Sequence, residues 1–276
     1  MSQYSEKELQ QLHNVLYDIM GEVKRVCNLL NIPYFAIGGT GIGVHFYKAI
    51  IPWDDDIDIG MTRENYERFL KEAPAVLRKG YFLQWMETDI HTPFYFAKVR
   101  RDGTLFIEDT TKHLDIHHGI FVDIFPMDKV PDNPRLQKLQ RTISKYLNLA
   151  FIAKDVWLWR HCGKPMCENP YNWNACYCFL FKGFVSLFSK KQLYAMFTKS
   201  VAFFNNRKCQ YCNIVLMPRD HIAMQSVENL EERPFGPLTI SAPSNLEAYL
   251  RHHYPRLRKD LPKEEQVNHR PLKLKF

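Results

Sequence analysis

One short segment, IPWDDDIDIGM at residues 51–61, constrains the chain more than any other feature. It places four aspartates within five positions, with apolar residues on both sides. If the segment is a strand, Asp54, Asp56 and Asp58 share one face, while Ile57 and Ile59 point into the core. Carboxylates two residues apart on a strand lie about 7 Å apart along the backbone and repel one another unless a cation joins them. We therefore predict a Mg²⁺ or Mn²⁺ site here, and the alternative is a solvated acidic turn or N-cap.

The composition predicts a folded protein with a substantial core. The chain has 276 residues, of which 46% are apolar and 14% aromatic, enough for one large domain with or without an appended part. Its net charge of +7 lies mostly in residues 251–276, which hold eight Lys or Arg and three acids. Such a tail can bind anionic lipid, nucleic acid or a phosphorylated substrate, or it can be a solvated terminus without a partner. Because no nucleic-acid-binding motif accompanies it, no nucleic-acid partner is predicted.

The first residues and the cysteines indicate the compartment. The first residues, MSQYSEK, lack the apolar core of a signal peptide. We therefore expect a cytoplasmic protein, and a location at the inner face of the cytoplasmic membrane is an alternative. The seven cysteines are then expected to be thiols. Cys209 and Cys212 have the spacing of zinc ligands, but the remaining candidates form no second pair, so structural zinc is the less favoured interpretation. Those remaining candidates are His161, Cys162, Cys167, Cys176 and Cys178.

The aromatic region around residues 157–188 offers a second way to contact a membrane. It contains Trp157, Trp159 and Trp173 and an aromatic run at 177–188, with basic residues beside it. Such a pattern fits a helix lying on a membrane surface and fits a core helix equally well. No apolar run reaches the length of about 20 residues that a membrane span needs.

The order of apolar and polar residues predicts a mixed α/β core. We expect a helix over 5–30 that begins with a capping box at Ser5, a strand over 33–37, a short helix over 43–48 and a helix over 63–72 capped by Thr62. A hairpin is expected around Asp102-Gly103, and a buried strand over 119–128 that ends at Pro126. The pattern beyond Pro134 is helical to about residue 230. We predict a catalytic core at 1–130, a helical accessory region at 131–230 and a C-terminal element with the basic tail at 231–276.

Three further features support phosphoryl chemistry. The glycine-rich turn at 38–43 lies between a predicted strand and helix, where backbone N–H groups can approach a phosphate. Asp123 is the one charged residue in GIFVDIF, and an unpaired carboxylate in a buried strand is costly without a partner or a metal. Lys98 and Arg100 share one strand face and could bind phosphate oxygens, or they could belong to a solvated surface. A metal-binding strand and a phosphate-binding turn are the two parts that phosphoryl transfer requires.

The string YFAIGGTGIGVHFYKAIIPWDDDIDIGM, followed by FVDIFPMD, resembles the LicD family. This is the bacterial choline-phosphotransferase and fukutin-related group of the nucleotidyltransferase superfamily. The resemblance runs from about residue 33 to 128 and returns weakly at APSNLEAYLRHHYP and LPKEEQVNH. It implies a nucleotidyltransferase-like mixed sheet flanked by helices, and a Mg²⁺ or Mn²⁺ cofactor.

The resemblance also implies roles for individual residues. Asp54, Asp56, Asp58 and Asp123 fall on the metal positions, and Asp56, Asp58 and Asp123 on the catalytic ones. The implied donor-phosphate positions are Gly38, Gly39, Thr40, Lys48, Lys98 and Arg100. The chain departs from the family at Phe46 and Tyr47, where members commonly have Arg and His, and at Gly41, where members have a bulky aliphatic residue. An aromatic ring at 46 or 47 could face a quaternary ammonium group or serve helix packing.

The implied reaction moves phosphocholine, or a related phospho-alcohol, from a CDP-linked donor such as CDP-choline to a sugar hydroxyl. The acceptor would be a surface glycan such as lipopolysaccharide, teichoic acid or capsule, either free or linked to a lipid. One alternative is a nucleotidyltransferase that moves NMP from an NTP to a small acceptor. A third, of another class, is a non-catalytic scaffold that keeps the fold, although a scaffold has no need of so costly an acidic cluster.

Overall fold

The computed structural model describes residues 4–160, 181, 183–217, 221–266 and 268–276. Its first element is α1 (Glu6–Leu30), which begins with the predicted capping box. Glu8 N donates to Ser5 Oγ at 3.2 Å, and Ser5 N donates to Glu8 Oε2 at 2.9 Å. The apolar face of α1 is buried against two strands of the central sheet, as its periodicity predicts. The helix ends at Asn31, whose left-handed backbone turns the chain into the first strand.

The central sheet confirms the mixed α/β prediction. Its strands are β1 (Phe35–Ala36), β2 (Asp58–Thr62), β3 (Tyr81–Gln84), β4 (Ala97–Arg101) and β6 (Phe121–Val130), in the spatial order β1-β2-β6-β4-β3. β2 and β6 run parallel, and the other neighbours run antiparallel. α3 (Arg63–Glu72) follows β2 directly and packs on β2 and β6. β6 is therefore the central strand on which the neighbouring acidic and basic residues are aligned.

The predicted end of the 119–128 strand at Pro126 is wrong, because β6 continues to Val130. Asp123 N donates to Ile57 O on the β2 side, so the nitrogen of Pro126, three residues later, lies toward the opposite edge. On that edge β4 pairs only as far as Ile124, and the next strand pairs from Asp128 onward. The proline therefore falls in a gap where no ladder hydrogen bond is lost.

Three local predictions need correction. The glycine segment is itself helical: α2 (Gly38–Ile42) continues directly into a π-helical turn at Gly43–Tyr47. Thr62 precedes α3 with an extended backbone, but its side chain makes no capping hydrogen bond. The turn at Gly103 has a left-handed φ of 79°, as a hairpin requires, yet β5 (Leu105–Ile107) pairs with the last strand of the chain, β11 (Lys273–Lys275). Long-range pairing has replaced the local hairpin there.

The region after Pro131 is only partly helical. It contains α4 (Pro134–Arg160) and α5 (Lys190–Val201), which pack on each other. Helical structure was predicted to about residue 230, but β7 (Tyr211–Asn213) and β8 (Ile222–Ala223) are strands, and β7 extends the sheet by pairing with β6. The boundaries of the three predicted regions stay a prediction. None of the helices in the described part of the chain has both the length and the apolar composition needed to cross a bilayer.

The C-terminal residues return to the core. α6 (Met224–Glu228) leads into a hairpin of β9 (Leu230–Phe235) and β10 (Leu238–Pro243), and α7 (Leu246–His253) follows. The hairpin packs on β1, and Gly236 N donates to Lys48 O at 2.7 Å. α7 packs on α2, where Gly41 leaves room for it: a Cβ there would lie 3.2 Å from Leu250 Cδ2. The replacement of a bulky residue by Gly41 is explained by this close helix contact.

Candidate active site

Three neighbouring strands bring charged residues into one row. Asp58 on β2 is the register partner of Asp123 on β6, and Asp123 is in turn the register partner of Lys98 on β4. Side chains directly opposite each other on adjacent strands point to the same face of a sheet. Lys98 Nζ donates to Asp123 Oδ1 at 2.7 Å, and both side chains are almost completely buried. The predicted later acid therefore lies beside the predicted acidic strand.

The acidic segment alternates as expected, although only its end is a strand. β2 begins at Asp58, and residues 54–57 approach it in an irregular extended segment. Ile57 and Ile59 are fully buried, whereas Asp54, Asp56 and Asp58 are each partly exposed. The isoleucines thus anchor the segment in the core and leave these carboxylates on the opposite side.

Asp55 has a different role, which the sequence did not reveal. Its carboxylate is 2% exposed and accepts hydrogen bonds from Tyr4 Oη at 2.8 Å and from His269 N at 2.9 Å. It therefore ties the first and last segments of the chain to the acidic loop. The alternation that buries Ile57 and Ile59 places Asp55 on the same inward side, so this pattern could have predicted that Asp55 is buried.

The carboxylates repel one another in the folded protein. Burial, with the charges of Asp56 and Asp55, raises the pKa of Asp54 to about 8. Burial, with Asp55 and Asp123, raises the pKa of Asp56 to about 6. The pKa of Asp58 lies well above its ordinary value because the surrounding protein removes most of the water around the carboxyl group and because the group faces Asp56, Asp123 and Asp54. Asp54, Asp56 and Asp123 therefore each raise the pKa of at least one other carboxyl group in the predicted metal site.

A closer grouping of potential ligand atoms occurs beside this set. Among the described residues, Asp55, Asp56 and His269 are the group whose ligand atoms lie within 4.8 Å of one another. The Asp55 carboxylate already accepts hydrogen bonds from the Tyr4 hydroxyl and the His269 backbone N–H, and the side chain of His269 is 74% exposed. We therefore assign Asp55 a structural role. Asp54, Asp56, Asp58 and Asp123, here called the acidic cluster, include no three carboxylates whose oxygens all lie within that distance.

Lys98 is held by aromatic rings as well as by Asp123. Its Nζ lies 3.4 Å from the ring centroid of Phe121, 4.4 Å from that of Phe94 and 5.2 Å from that of Phe96. Burial lowers the pKa of Lys98, whereas Asp123 acts in the opposite direction. Burial raises the pKa of Asp123, and Lys98 opposes that rise. The lysine is therefore the nearest compensating charge for the acidic cluster.

The N-terminal turn of α2 approaches the acidic residues closely. Gly38 has a left-handed φ of 53°, and its N–H donates to Tyr249 Oη at 3.0 Å. A Cβ on Gly39 would lie 2.9 Å from Asp54 Oδ2, so only glycine leaves this carboxylate in place. Thr40 Oγ1 accepts a hydrogen bond from Asp58 N at 2.7 Å. The turn thus joins the positive end of the helix to the start of the acidic strand.

Comparison with known proteins agrees with this arrangement. Residues 31–158 match the LicD/FKTN/FKRP nucleotidyltransferase domain. These residues form a LicD-family domain. The chain is 31% identical over 125 residues to the lipopolysaccharide cholinephosphotransferase LicD of Haemophilus influenzae, covering 44% of this chain and 45% of that protein. It is 30% identical over 118 residues to an uncharacterized protein of Rickettsia typhi, covering 43% of this chain and 36% of that protein. Less than half of either relative is matched.

Arg100 and Lys48, two of the residues predicted to bind the donor phosphate, lie in different surroundings. Arg100 is 1% exposed, and its guanidinium donates to Gln84 Oε1 and to Gly119 O, each at 2.6 Å. Lys48 is exposed and ends the π-helical turn with a left-handed φ of 52°. Among the residues the structure describes, no recorded contact joins its ammonium group to the aspartates. The geometry therefore favours a structural role for Arg100, and phosphate binding by Lys48 stays a prediction.

The aromatic residues at the departure from the family pattern pack mainly within the protein. Tyr47 Oη donates to Lys259 O at 2.6 Å, and its ring makes an edge contact with Trp53 at 5.9 Å. Lys259 Nζ also lies 5.7 Å from the centroid of the Tyr47 ring. Phe46 makes an edge contact with His45 at 4.5 Å. Contacts with Trp53 and Lys259, which both lie in loops, thus account for Tyr47, and a choline contact by Phe46 stays a prediction.

The C-terminal contacts to the glycine turn were missed by the sequence reasoning. A Cβ on Gly38 would lie 3.6 Å from Asp58 Oδ2 and 3.8 Å from Tyr254 Oη. Tyr249, Tyr254 and Asp58 therefore surround the same end of α2. The weak match at 242–255 was the available signal, but it did not indicate which residue reaches the turn.

The cysteines and aromatic residues singled out in the sequence lie partly within the described residues. Cys27, Cys209 and Cys212 are free thiols, and Cys212 is buried in β7. His161, the four cysteines between 162 and 178, Trp173 and most of the aromatic run lie outside the described residues, as do the side chains of Trp157 and Trp159. Zinc binding and membrane contact by that region stay predictions.

We expect Gly39→Ala to lower turnover of the LicD domain by about 10- to 100-fold, because displacing a positioned group by a fraction of an ångström has effects of this size. The added methyl group meets the end of the Asp54 side chain, which can swing away, so the melting temperature should change little. Gly21→Ala is the matched control, since a Cβ there meets only Leu238 methyl groups at 3.9 Å or more. Equal activity of the Gly39→Ala variant and the control would contradict the placement of Asp54.

The acidic cluster also predicts a pH dependence of stability in EDTA. The pKa of Asp54 is raised from 3.8 to about 8 in the folded state, so the folded protein retains protons that the unfolded chain releases. The free energy of unfolding should therefore fall as the pH rises from about 4 to about 8, with a contribution of up to about 1.4 kcal/mol per pH unit for one proton. Urea unfolding at pH 5 and pH 8 measures this. Asp54→Asn should make the fall smaller, and an unchanged fall would contradict the assignment.

Proposed function

We propose that the chain transfers phosphocholine, or a related phospho-alcohol, from a CDP-linked donor to a hydroxyl of a surface glycan. The observation that carries the proposal is the row of Asp58, Asp123 and Lys98 across β2, β6 and β4, next to the N-terminal turn of α2. The similarity to a protein named lipopolysaccharide cholinephosphotransferase supports the choice of the transferred group and of the acceptor. Because that similarity covers less than half of either chain, donor and acceptor are part of the proposal.

The proposed cofactor is Mg²⁺, or Mn²⁺ in its place. Asp54, Asp56, Asp58 and Asp123 offer only carboxylate oxygens, which are the ligands that both ions prefer. The raised pKa values of Asp54 and Asp56 support the fit, because a cation would remove the repulsion that causes part of each rise. When bound, such an ion would neutralise charge on the diphosphate and on the departing CMP.

The residues of the chain account for the proton and for the position of the carboxylates. An acceptor hydroxyl would attack the phosphorus that carries the alcohol, the bond to the CMP oxygen would break, and a phosphodiester would form. The hydroxyl proton would pass to Asp123 or Asp58, the two carboxylates aligned across β2 and β6. Lys98 holds the Asp123 carboxylate in place and limits its affinity for a proton. Tyr249 orients the glycine turn through the Gly38 N–H.

The experiment that tests this function separates the two possible enzymatic products. Purified protein with Mg²⁺ is given CDP-choline, CDP-ethanolamine, CDP-glycerol, CDP-ribitol or an NTP, with or without bacterial glycans, and CMP and pyrophosphate are measured by mass spectrometry. Glycan-dependent CMP from one CDP-alcohol is expected, and the new mass on the glycan identifies the group transferred. Asp115→Asn, at an exposed acid outside the cluster, serves as a control that should retain activity. Pyrophosphate from an NTP would contradict the proposal and identify a nucleotidyltransferase.

A further inference from the structure

The N-terminal half of α4 has its polar and apolar faces reversed. Its protein-facing side contains Gln140, whose Nε2 donates to Ser200 O at 3.2 Å and to Val201 O at 2.8 Å. It also contains Ser144, which is fully buried with its Oγ 2.9 Å from Ser200 Oγ. A helix on the surface of a protein in water normally buries its apolar residues and exposes its polar ones. Here hydrogen bonds join α4 to α5, and apart from Leu147, which packs against Phe197 and Val201, the apolar residues of this half lie elsewhere.

Those apolar residues lie on the outer face. Leu136, Leu139, Ile143 and Tyr146, here called the apolar stripe, are 42%, 56%, 47% and 54% exposed. Their spacings of three, four and three residues place them on one side of the helix over three turns. Isolated exposed apolar residues are ordinary on protein surfaces, but a continuous row beside a hydrogen-bonded polar face indicates a surface that is covered in use.

The apolar surface continues beyond α4. Because Gln140 bonds to the carbonyls of Ser200 and Val201, the end of α5 lies beside the stripe's half of α4. Phe203, two residues after that end, is 65% exposed. Exposed Arg207 lies beside it, with the guanidinium 6.0 Å from the Phe203 ring centroid. Apolar and basic groups are thus interleaved at this end of the molecule.

The charged residues of α4 beside the stripe are all basic. Residues 134–154 contain five basic residues and no acid. The five are Arg135, Lys138, Arg141, Lys145 and Lys154. Arg135, Lys138 and Lys145 are exposed, and at 100° per residue they lie along one flank of the stripe, while the other flank packs on the protein.

We propose that the apolar stripe and its basic flank bind the surface of an anionic phospholipid bilayer. Leucine, isoleucine and tyrosine side chains would enter the boundary between headgroups and acyl chains, and the lysine and arginine side chains would contact lipid phosphates. A second copy of the chain fits this surface less well, because pairing two stripes would bring two basic flanks together with no acid among residues 134–154 to compensate them. This surface is distinct from the acidic cluster, so it serves localisation and takes no part in the chemistry.

Vesicle flotation of the purified full chain tests the proposal. Vesicles of phosphatidylcholine alone are compared with vesicles containing about 30% phosphatidylglycerol, at low and at high salt. The wild-type protein should float with the anionic vesicles, and more weakly at high salt. Leu139→Ser with Ile143→Ser should lower the partition coefficient at least about tenfold, because two apolar contacts with the membrane are lost. Lys138→Gln with Lys145→Gln should weaken binding at low salt and reduce its dependence on salt.

The controls remove similar side chains elsewhere. Leu29, on α1, is 58% exposed, close to the 56% of Leu139, so Leu29→Ser should leave binding unchanged. Lys71→Gln with Lys79→Gln removes the same charge from exposed positions outside α4. Unchanged melting temperatures show that the variants are folded. Failure of the wild-type protein to bind anionic vesicles would overturn the proposal, and so would equal binding by the stripe variant. A wild-type dimer that becomes monomeric in the stripe variant, with no vesicle binding by either, would assign the surface to self-association instead.

Discussion

Replacement of Asp58 by Asn is expected to abolish turnover while leaving the protein folded. The Asp58 carboxylate faces Asp56, Asp123 and Asp54, and all four are assigned to the proposed metal site. Asn has nearly the same shape but no charge, so the loss should be on the order of 10³-fold or more in kcat, as for other groups that stabilise a developing charge. The measurement is glycan-dependent CMP release at saturating donor.

Stability should move in the opposite direction from activity in this variant. The raised pKa of Asp58 shows that its charged form is disfavoured in the folded protein, so removing the charge relieves repulsion. In EDTA the Asp58→Asn variant should therefore melt at the same temperature as the wild-type protein, or higher. Mg²⁺ should raise the melting temperature of the wild-type protein more than that of the variant, because the variant lacks a ligand. Activity near the wild-type level would contradict the proposed site, whatever the melting temperature.

Replacement of Lys98 by Met is expected to reduce both stability and activity. Lys98 is fully enclosed, with its ammonium between the rings of Phe94, Phe96 and Phe121 and paired with Asp123. Met fills similar space and keeps the ring contacts, but it leaves the Asp123 carboxylate without its compensating charge. Removing one partner of a buried ion pair typically costs about 3–5 kcal/mol of stability. Urea unfolding at neutral pH gives the free energy, and kcat is expected to fall about 100-fold, because Asp123 loses the group that positions it.

The double variant Lys98→Met with Asp123→Asn distinguishes the two contributions. With both charges absent, no unpaired buried charge remains, and much of the lost stability should return. Activity should not return, because the carboxylate at 123 is required in the proposed reaction. If the double variant were no more stable than Lys98→Met, the ion pair would not be the reason for the loss. Recovery of activity would exclude Asp123 as ligand or base.

Several features of the fold are local and could be predicted from neighbouring residues. The capping box at Ser5 and Glu8 acts over three positions, and the first helix begins where that pattern indicates. The alternation from Asp54 to Ile59 depends only on the twofold repeat of an extended chain, and it correctly separates the buried isoleucines from the more exposed aspartates. The lone charge of Asp123 in an apolar strand marked it as a candidate site residue, because burying an unpaired carboxylate is costly.

Other features depend on which distant segments meet. Nothing near Pro126 reveals that its missing N–H lies in a gap between two partner strands, so the strand was ended too early. Gly39 could be recognised as part of a turn, but only its approach to Asp54 explains why that residue is glycine. The pairing of β5 with β11 displaced an expected hairpin for the same reason.

The same division applies to the candidate site. The residue types and their spacing determined that carboxylates would gather near a glycine turn, because those preferences act within a few residues. Tertiary structure decided that Asp58, Asp123 and Lys98 form one row, that Arg100 is enclosed by Gln84 and Gly119, and that Asp55 ties the two ends of the chain. Strand order and register join segments that are tens to hundreds of residues apart, and burial, partners and pKa follow from that assembly.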